Sequence, residues 1–140
     1  MSKTLTDITE ITIRFGEVDS MGIVWHGNYV KYIEEARESF GKKYGISYLD
    51  IYAQKLMVPI VNFNIDFKKT VKYGDKLFIE TEYIDQQAAK ILFKFKLFRK
   101  SDNELVATAE STQVFIDTKH EMLLYTPQFI LDWKQKMGLI

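Results

Sequence analysis

Asp19 and His26 stand seven positions apart in a stretch otherwise rich in small and apolar residues, Phe15-Gly16-Glu17-Val18-Asp19-Ser20-Met21-Gly22-Ile23-Val24-Trp25-His26-Gly27-Asn28-Tyr29. A carboxylate in such a loop can take a proton from water as a general base, or attack an electrophilic carbon itself. The unpaired N–H groups and positive dipole end of a helix start can polarise a carbonyl. With a helix opening near His26, one loop would carry both halves of what acyl-group hydrolysis requires. Each residue also has a plainer reading. Asp19 beside Ser20 and Gly22 suits a turn, and Gly22 suits a positive φ. His26 at a helix start needs no side-chain chemistry, and its backbone N–H is the more useful carbonyl polariser. Glu34 and Glu35 read first as a solvated face, with contact to a substrate as the alternative.

Elements on either side must hold this loop. Before it, Ile11 to Phe15 alternates apolar and polar as a half-buried strand does. After it the period changes. Tyr29, Ile33, Ala36, Phe40 and Tyr44 share one helical face, which also makes Tyr29 a core residue. Asn28 is the expected N-cap and Gly45 the expected stop, giving a helix of about 25 Å. A short second helix is expected from Tyr48 to Gln54, capped by Ser47. The second half reads as antiparallel sheet: a strand from Val61 to Lys68, then Lys76–Ile84, Lys90–Arg99 and Leu105–Ile116, punctuated by Tyr73-Gly74-Asp75 and Ser101-Asp102-Asn103. Thr126-Pro127 has the pattern of a helix start, so a C-terminal helix is expected from Pro127 to Met137. One long helix on one face of a curved antiparallel sheet of about five strands is an α+β architecture. In the fourth strand Leu92 and Phe98 add apolar residues to the face opposite Ile91, Phe93, Phe95 and Leu97, which predicts burial beyond one helix layer, hence a homodimer at least and a homotetramer by pairing of dimers.

Composition removes several function classes. At 140 residues, the chain suits a single domain over 1–140. Lys plus Arg and Asp plus Glu are both 19, so no overall cationic surface for nucleic acid is expected. With no cysteine there is no disulfide, thiolate metal site or Cys nucleophile. The N-terminus is polar and no apolar run approaches the ~18 residues of a membrane span, so cytoplasm is the expected location. A serine-nucleophile elbow, an H-E-x-x-H helix, a P-loop and a dinucleotide fingerprint are all missing. His120 makes no metal set with His26, so neither a metal nor a cofactor is expected.

Asp19, Gly22, Ile23-Val24, His26, Asn28-Tyr29 and the helical Glu35-Ala36-Arg37, followed later by Val58-Pro59-Ile60-Val61, resemble the signature of the hotdog-fold thioesterases of the 4-hydroxybenzoyl-CoA and Tol-Pal-associated acyl-CoA type. The resemblance runs from about Ile11 to the last strand. One departure is Glu17-Val18-Asp19, where many members have Asp-x-Asp. The resemblance implies a hotdog fold, a thioesterase acting on acyl-CoA or an acyl-carrier protein, Asp19 as the catalytic carboxylate with His26 at the polarising helix start, and a site shared between subunits of a dimer. Coenzyme A would be present only as part of the substrate. Lys68, Lys69, Lys90, Arg99 and Lys100, on strands or turns of the sheet, are the candidate cations for the CoA phosphates, and the resemblance points most to Lys90. Ordinary edge-strand lysines that block aggregation are the alternative for each. Two other functions fit the same fold: a hydratase or dehydratase of acyl thioesters, and an acyl-CoA-binding protein without catalysis.

Overall fold

A computed structural model describes residues 4–140; residues 1–3 of the expected 1–140 domain lie outside the described residues. In order, β1 is Leu5–Thr12, α1 Asn28–Tyr44, α2 Tyr48–Tyr52, β2 Ile60–Phe67, β3 Lys76–Ile84, β4 Lys90–Arg99, β5 Leu105–Val114 and α3 Gln128–Lys136. The five strands form one antiparallel sheet in the order β1-β3-β4-β5-β2. Helix α1 lies along the inner face, over β1 and β3. The α+β expectation, with its long central helix, five strands and C-terminal helix, is borne out.

The apolar stripe of α1 explains its position. Tyr29, Tyr32, Ile33, Ala36 and Phe40 are buried against Leu77, Ile79, Tyr83, Phe93 and Phe95 of the sheet. Phe40 stacks on Tyr83 at 6.3 Å and meets Phe93 edge-on at 5.0 Å, while Tyr29 meets Phe67 edge-on at 5.0 Å. The N-terminus of α1 therefore lies at the Phe67 end of the sheet, and its C-terminus at the Tyr83 end. Gly45 ends the helix in the left-handed region, φ +85°. Helix α3 closes the Tyr83 end through Trp133, whose Nε1 donates to the Tyr44 carbonyl at 2.7 Å.

Several expectations are corrected. The first strand runs Leu5–Thr12 rather than Ile11–Phe15, because Asp7 and Thr9 take inward positions that look polar in sequence. Asp7 is matched there by Ser39 of α1, whose hydroxyl donates to Oδ2 at 2.7 Å. Phe15 instead enters a 3-10 turn, Phe15–Glu17. The N-cap of α1 is Gly27; Asn28 is the first helical residue, buried, its Nδ2 donating to the Glu17 carbonyl at 2.8 Å. Helix α2 is shorter than expected, though Ser47 does cap it, together with Asp50. Strand β5 stops at Val114 and α3 covers Gln128–Lys136.

The outer face of the sheet is also more polar than the apolarity of β4 implies. Lys94 and Lys96 separate Leu92 from Phe98. Lys94 lies between Glu82 of β3 and Glu110 of β5, with Nζ 3.7 Å from the Glu110 carboxylate, and Lys96 lies opposite Glu80. Cross-strand charge pairs of this kind belong to a solvated face.

Candidate active site

Residues 18–24 fold into a miniature hairpin. Val18 and Val24 pair antiparallel, and the Asp19 N–H donates to the Ile23 carbonyl at 2.8 Å. Four residues cannot turn so tightly with ordinary backbone throughout, and Gly22 supplies the left-handed step at φ +74°. The buried Val24 N–H donates to the Val71 carbonyl at 2.8 Å, and the Tyr73 N–H donates to the Gly22 carbonyl at 3.0 Å. The loop is thereby stitched to the connection between β2 and β3.

This turn fixes the carboxylate of Asp19. Its Oδ1 accepts from the Met21 N–H at 2.8 Å and from the Ile23 N–H at 3.2 Å. Oδ2 accepts no hydrogen bond among the described residues, and the side chain is exposed. The donors that orient Asp19 belong to its own turn, not to the helix start. One oxygen is held and one is open, the arrangement a base or nucleophile needs.

Glu17 braces the loop against α1. Its Oε1 accepts from the Arg14 N–H at 2.8 Å and from the Tyr32 hydroxyl at 3.0 Å. Burial, reinforced by the Glu17 carboxylate, holds the Tyr32 phenol well above its ordinary range, so it remains a donor. The Glu17 carbonyl accepts from the Trp25 N–H at 3.1 Å as well as from Asn28.

His26 lies at the helix start, exposed, its ring 6.0 Å from that of Phe67. Neither the His26 nor the Gly27 N–H donates to any acceptor among the described residues. These are the donors available to a carbonyl oxygen. A side chain at Gly27 would overlap the Trp25 ring, which lies against it.

The expected cations separate into two groups. Lys68 and Lys69 follow Phe67 at the His26 end, where both N–H groups donate to the Val106 carbonyl, and Lys69 Nζ lies 3.5 Å from Glu104. Lys90 opens β4 opposite Val114, whereas Phe67 lies opposite Ala107, itself opposite Leu97. Seven residues along a strand is about 20 Å, so one chain does not bring Lys90 to Asp19. Gly22 acts in the turn.

A cavity of about 730 Å³ lies at this second end, between the flank of α1, α2 and the start of β2. Ile46, Ile51, Met57, Ile60, Ile91 and Ile116 line it, with Gln113 in its floor and Glu34, Arg37 and Glu38 along the helix. Neither Asp19 nor His26 borders it. Sequence reasoning missed Glu17, Tyr32 and this cavity; the only signal for the last was the apolar Met57–Val61 run.

Comparison with known proteins decides the family. A model of the thioesterase-like superfamily matches residues 13–133. The chain belongs to that superfamily. YneP of Bacillus subtilis (strain 168), named a candidate acyl-CoA thioesterase, is 29% identical over 89% of this chain and 89% of its own length. The crystal structure of DHNA-CoA thioesterase from Staphylococcus aureus superposes with a TM-score of 0.83 at 28% identity, covering 96% of this chain and 92% of that one. The 4-hydroxybenzoyl-CoA thioesterase of Pseudomonas sp. strain CBS-3 gives a TM-score of 0.80 at 25% identity, covering 91% and 98%. In superfamily terms the matched span starts at Ile13 and takes in the Asp19 turn, all of α1 and the whole of β2 to β5. Among the described residues no helix is long and apolar enough to cross a membrane.

Proposed function

We propose that this chain is a thioesterase that hydrolyses an acyl-CoA, or an acyl-carrier-protein thioester, to the free acid and thiol, using Asp19. The observation that carries the reading is the anchored carboxylate: Oδ1 fixed by the Met21 and Ile23 N–H groups, Oδ2 open, on the loop that leads into α1. Water attacks the thioester carbon while Asp19 Oδ2 takes its proton. The oxyanion that forms is received by the N–H groups of His26 and Gly27, which have no other acceptor among the described residues. Collapse breaks the C–S bond, and the proton on Asp19 passes to the departing thiolate. Direct attack by Oδ2, through a mixed anhydride later opened by water, uses the same groups.

The functional unit is a homodimer. Strand β2 pairs with β5 on one side only, and its exposed Val61 and Phe67 lie along an edge, a liability unless covered. At the other edge the Thr6 carbonyl is already taken by the Tyr44 hydroxyl at 2.6 Å and by Lys43 at 3.2 Å. A second copy added antiparallel to β2 about a twofold axis would bring the Ile60 end of one chain beside the Phe67 end of the other. The cavity and Lys90 of one chain would then face the catalytic loop of its neighbour, with Lys68 and Lys69 of that neighbour as further phosphate contacts. This assembly accounts for the 20 Å separation within one chain. Free-thiol release from a panel of acyl-CoAs tests the activity. Release that scales with enzyme is expected; tight binding of acyl-CoA with no release would mean a binding protein instead.

A further inference from the structure

Beside the 730 Å³ cavity lies a second chamber of about 270 Å³, open to the surface and lined by Tyr52, Lys55, Leu56, Met57 and Thr118. Met57 is the one residue common to both linings among the described residues. Its backbone is fixed independently of its side chain: the Met57 N–H donates to the Ile116 carbonyl at 3.0 Å, and the Ile116 N–H returns the bond to the Met57 carbonyl at 2.9 Å. Where the two chambers meet stands an unbranched thioether on a hydrogen-bonded backbone, a side chain type able to act as an adjustable wall.

The larger chamber is mixed in character: Ile51, Ile60, Ile91 and Ile116 line it together with Met57, and so do Tyr48 and the helical Glu34, Arg37 and Glu38. Gln113 donates Nε2 to the Val58 carbonyl at 2.8 Å. An apolar acyl tail gains by lying along the aliphatic residues.

Resting on the acyl-CoA reading above, we propose that Met57 sets the length of the acyl chain that is accepted, by stopping the end of the chain at the boundary between the two chambers. Met57 lies three residues before Ile60, about 10 Å further from the expected neighbouring catalytic loop, so the tail of an acyl chain is what reaches it.

The test is a series of saturated acyl-CoAs, from butanoyl to tetradecanoyl, with kcat/KM measured for wild type, Met57→Ala, Met57→Phe and Met57→Leu. In wild type each added methylene should raise kcat/KM about fourfold until the tail meets Met57, and then stop. Met57→Ala joins the chambers and should move the break to longer chains. Met57→Phe should move it to shorter ones, and Met57→Leu, of similar volume, should leave it in place. Displacement in opposite directions by Ala and Phe cannot come from loss of stability. The proposal is overturned if the break stays put in all variants, or if Ala and Phe move it the same way. Should no acyl-CoA be hydrolysed, the thioesterase reading fails by itself, and calorimetric affinities over the same series and variants still decide the length rule.

Discussion

Tyr32 donates its hydroxyl to Glu17, and this bond ties α1 to the loop that presents Asp19. Tyr32→Phe should lower stability by roughly 1–2 kcal/mol in urea unfolding, the usual loss for a buried hydrogen bond to a charged acceptor. It should lower kcat severalfold with KM little changed, since no substrate contact is removed. Unaltered kcat would mean that the brace does not reach the carboxylate. In the sequence Glu17 looked like a departure from an Asp-x-Asp pattern; in the structure it is the side chain on which the loop rests. Asp19 was legible from its place in a motif. How it is held was not, because the donors come from the Met21 and Ile23 backbone, and main-chain donors carry no residue signature.

At the scale of elements, period and punctuation located β3 and β4 to the residue and α1 to within one residue at its start, since their apolar faces are long and regular. Strand β1 was misplaced where Asp7 accepts from Ser39 of α1 and from its strand neighbour Thr9, a tertiary compensation that alternation cannot reveal. The Asp19 turn depends on the left-handed backbone at Gly22. Gly22→Ala should cost about 1–2 kcal/mol of strain. If the turn opens to relieve it, the Ile23 N–H leaves Asp19, and kcat should fall about tenfold or more. Circular dichroism should show the sheet intact. Full activity in this variant would show that the turn tolerates a side chain.

For the whole molecule, the outer face of the sheet decides how copies can meet. A surface of alternating Lys and Glu across β3, β4 and β5 resists dry packing against a second sheet, so the apolarity of β4 that pointed to stacked dimers is confined to its ends, at Leu92 and Phe98. The β2 edge is the surface that calls for a second copy. Val61→Glu would set a carboxylate opposite Asp66 of the second copy across that edge, a like-charge juxtaposition that costs several kcal/mol. Sedimentation should then give a monomer where wild type gives a dimer, and activity should fall with assembly. A monomer that keeps full activity would rule out a site shared between chains. Spacing along a strand says nothing about what a symmetry axis brings back, so the expectation of a site shared between chains came from the family resemblance alone.

The central claim is that Asp19 performs the chemistry, and Asp19→Asn tests it most directly. The amide keeps the size of the side chain and an oxygen to accept from Met21 and Ile23, but it can neither take a proton from water nor attack a carbonyl. Steady-state hydrolysis of the best acyl-CoA should show kcat lowered by roughly two to four orders of magnitude. KM should be nearly unchanged, and the sedimentation and unfolding profiles should be those of wild type. An Asp19→Asn enzyme that is folded, assembled and within a few-fold of wild-type kcat would contradict the account.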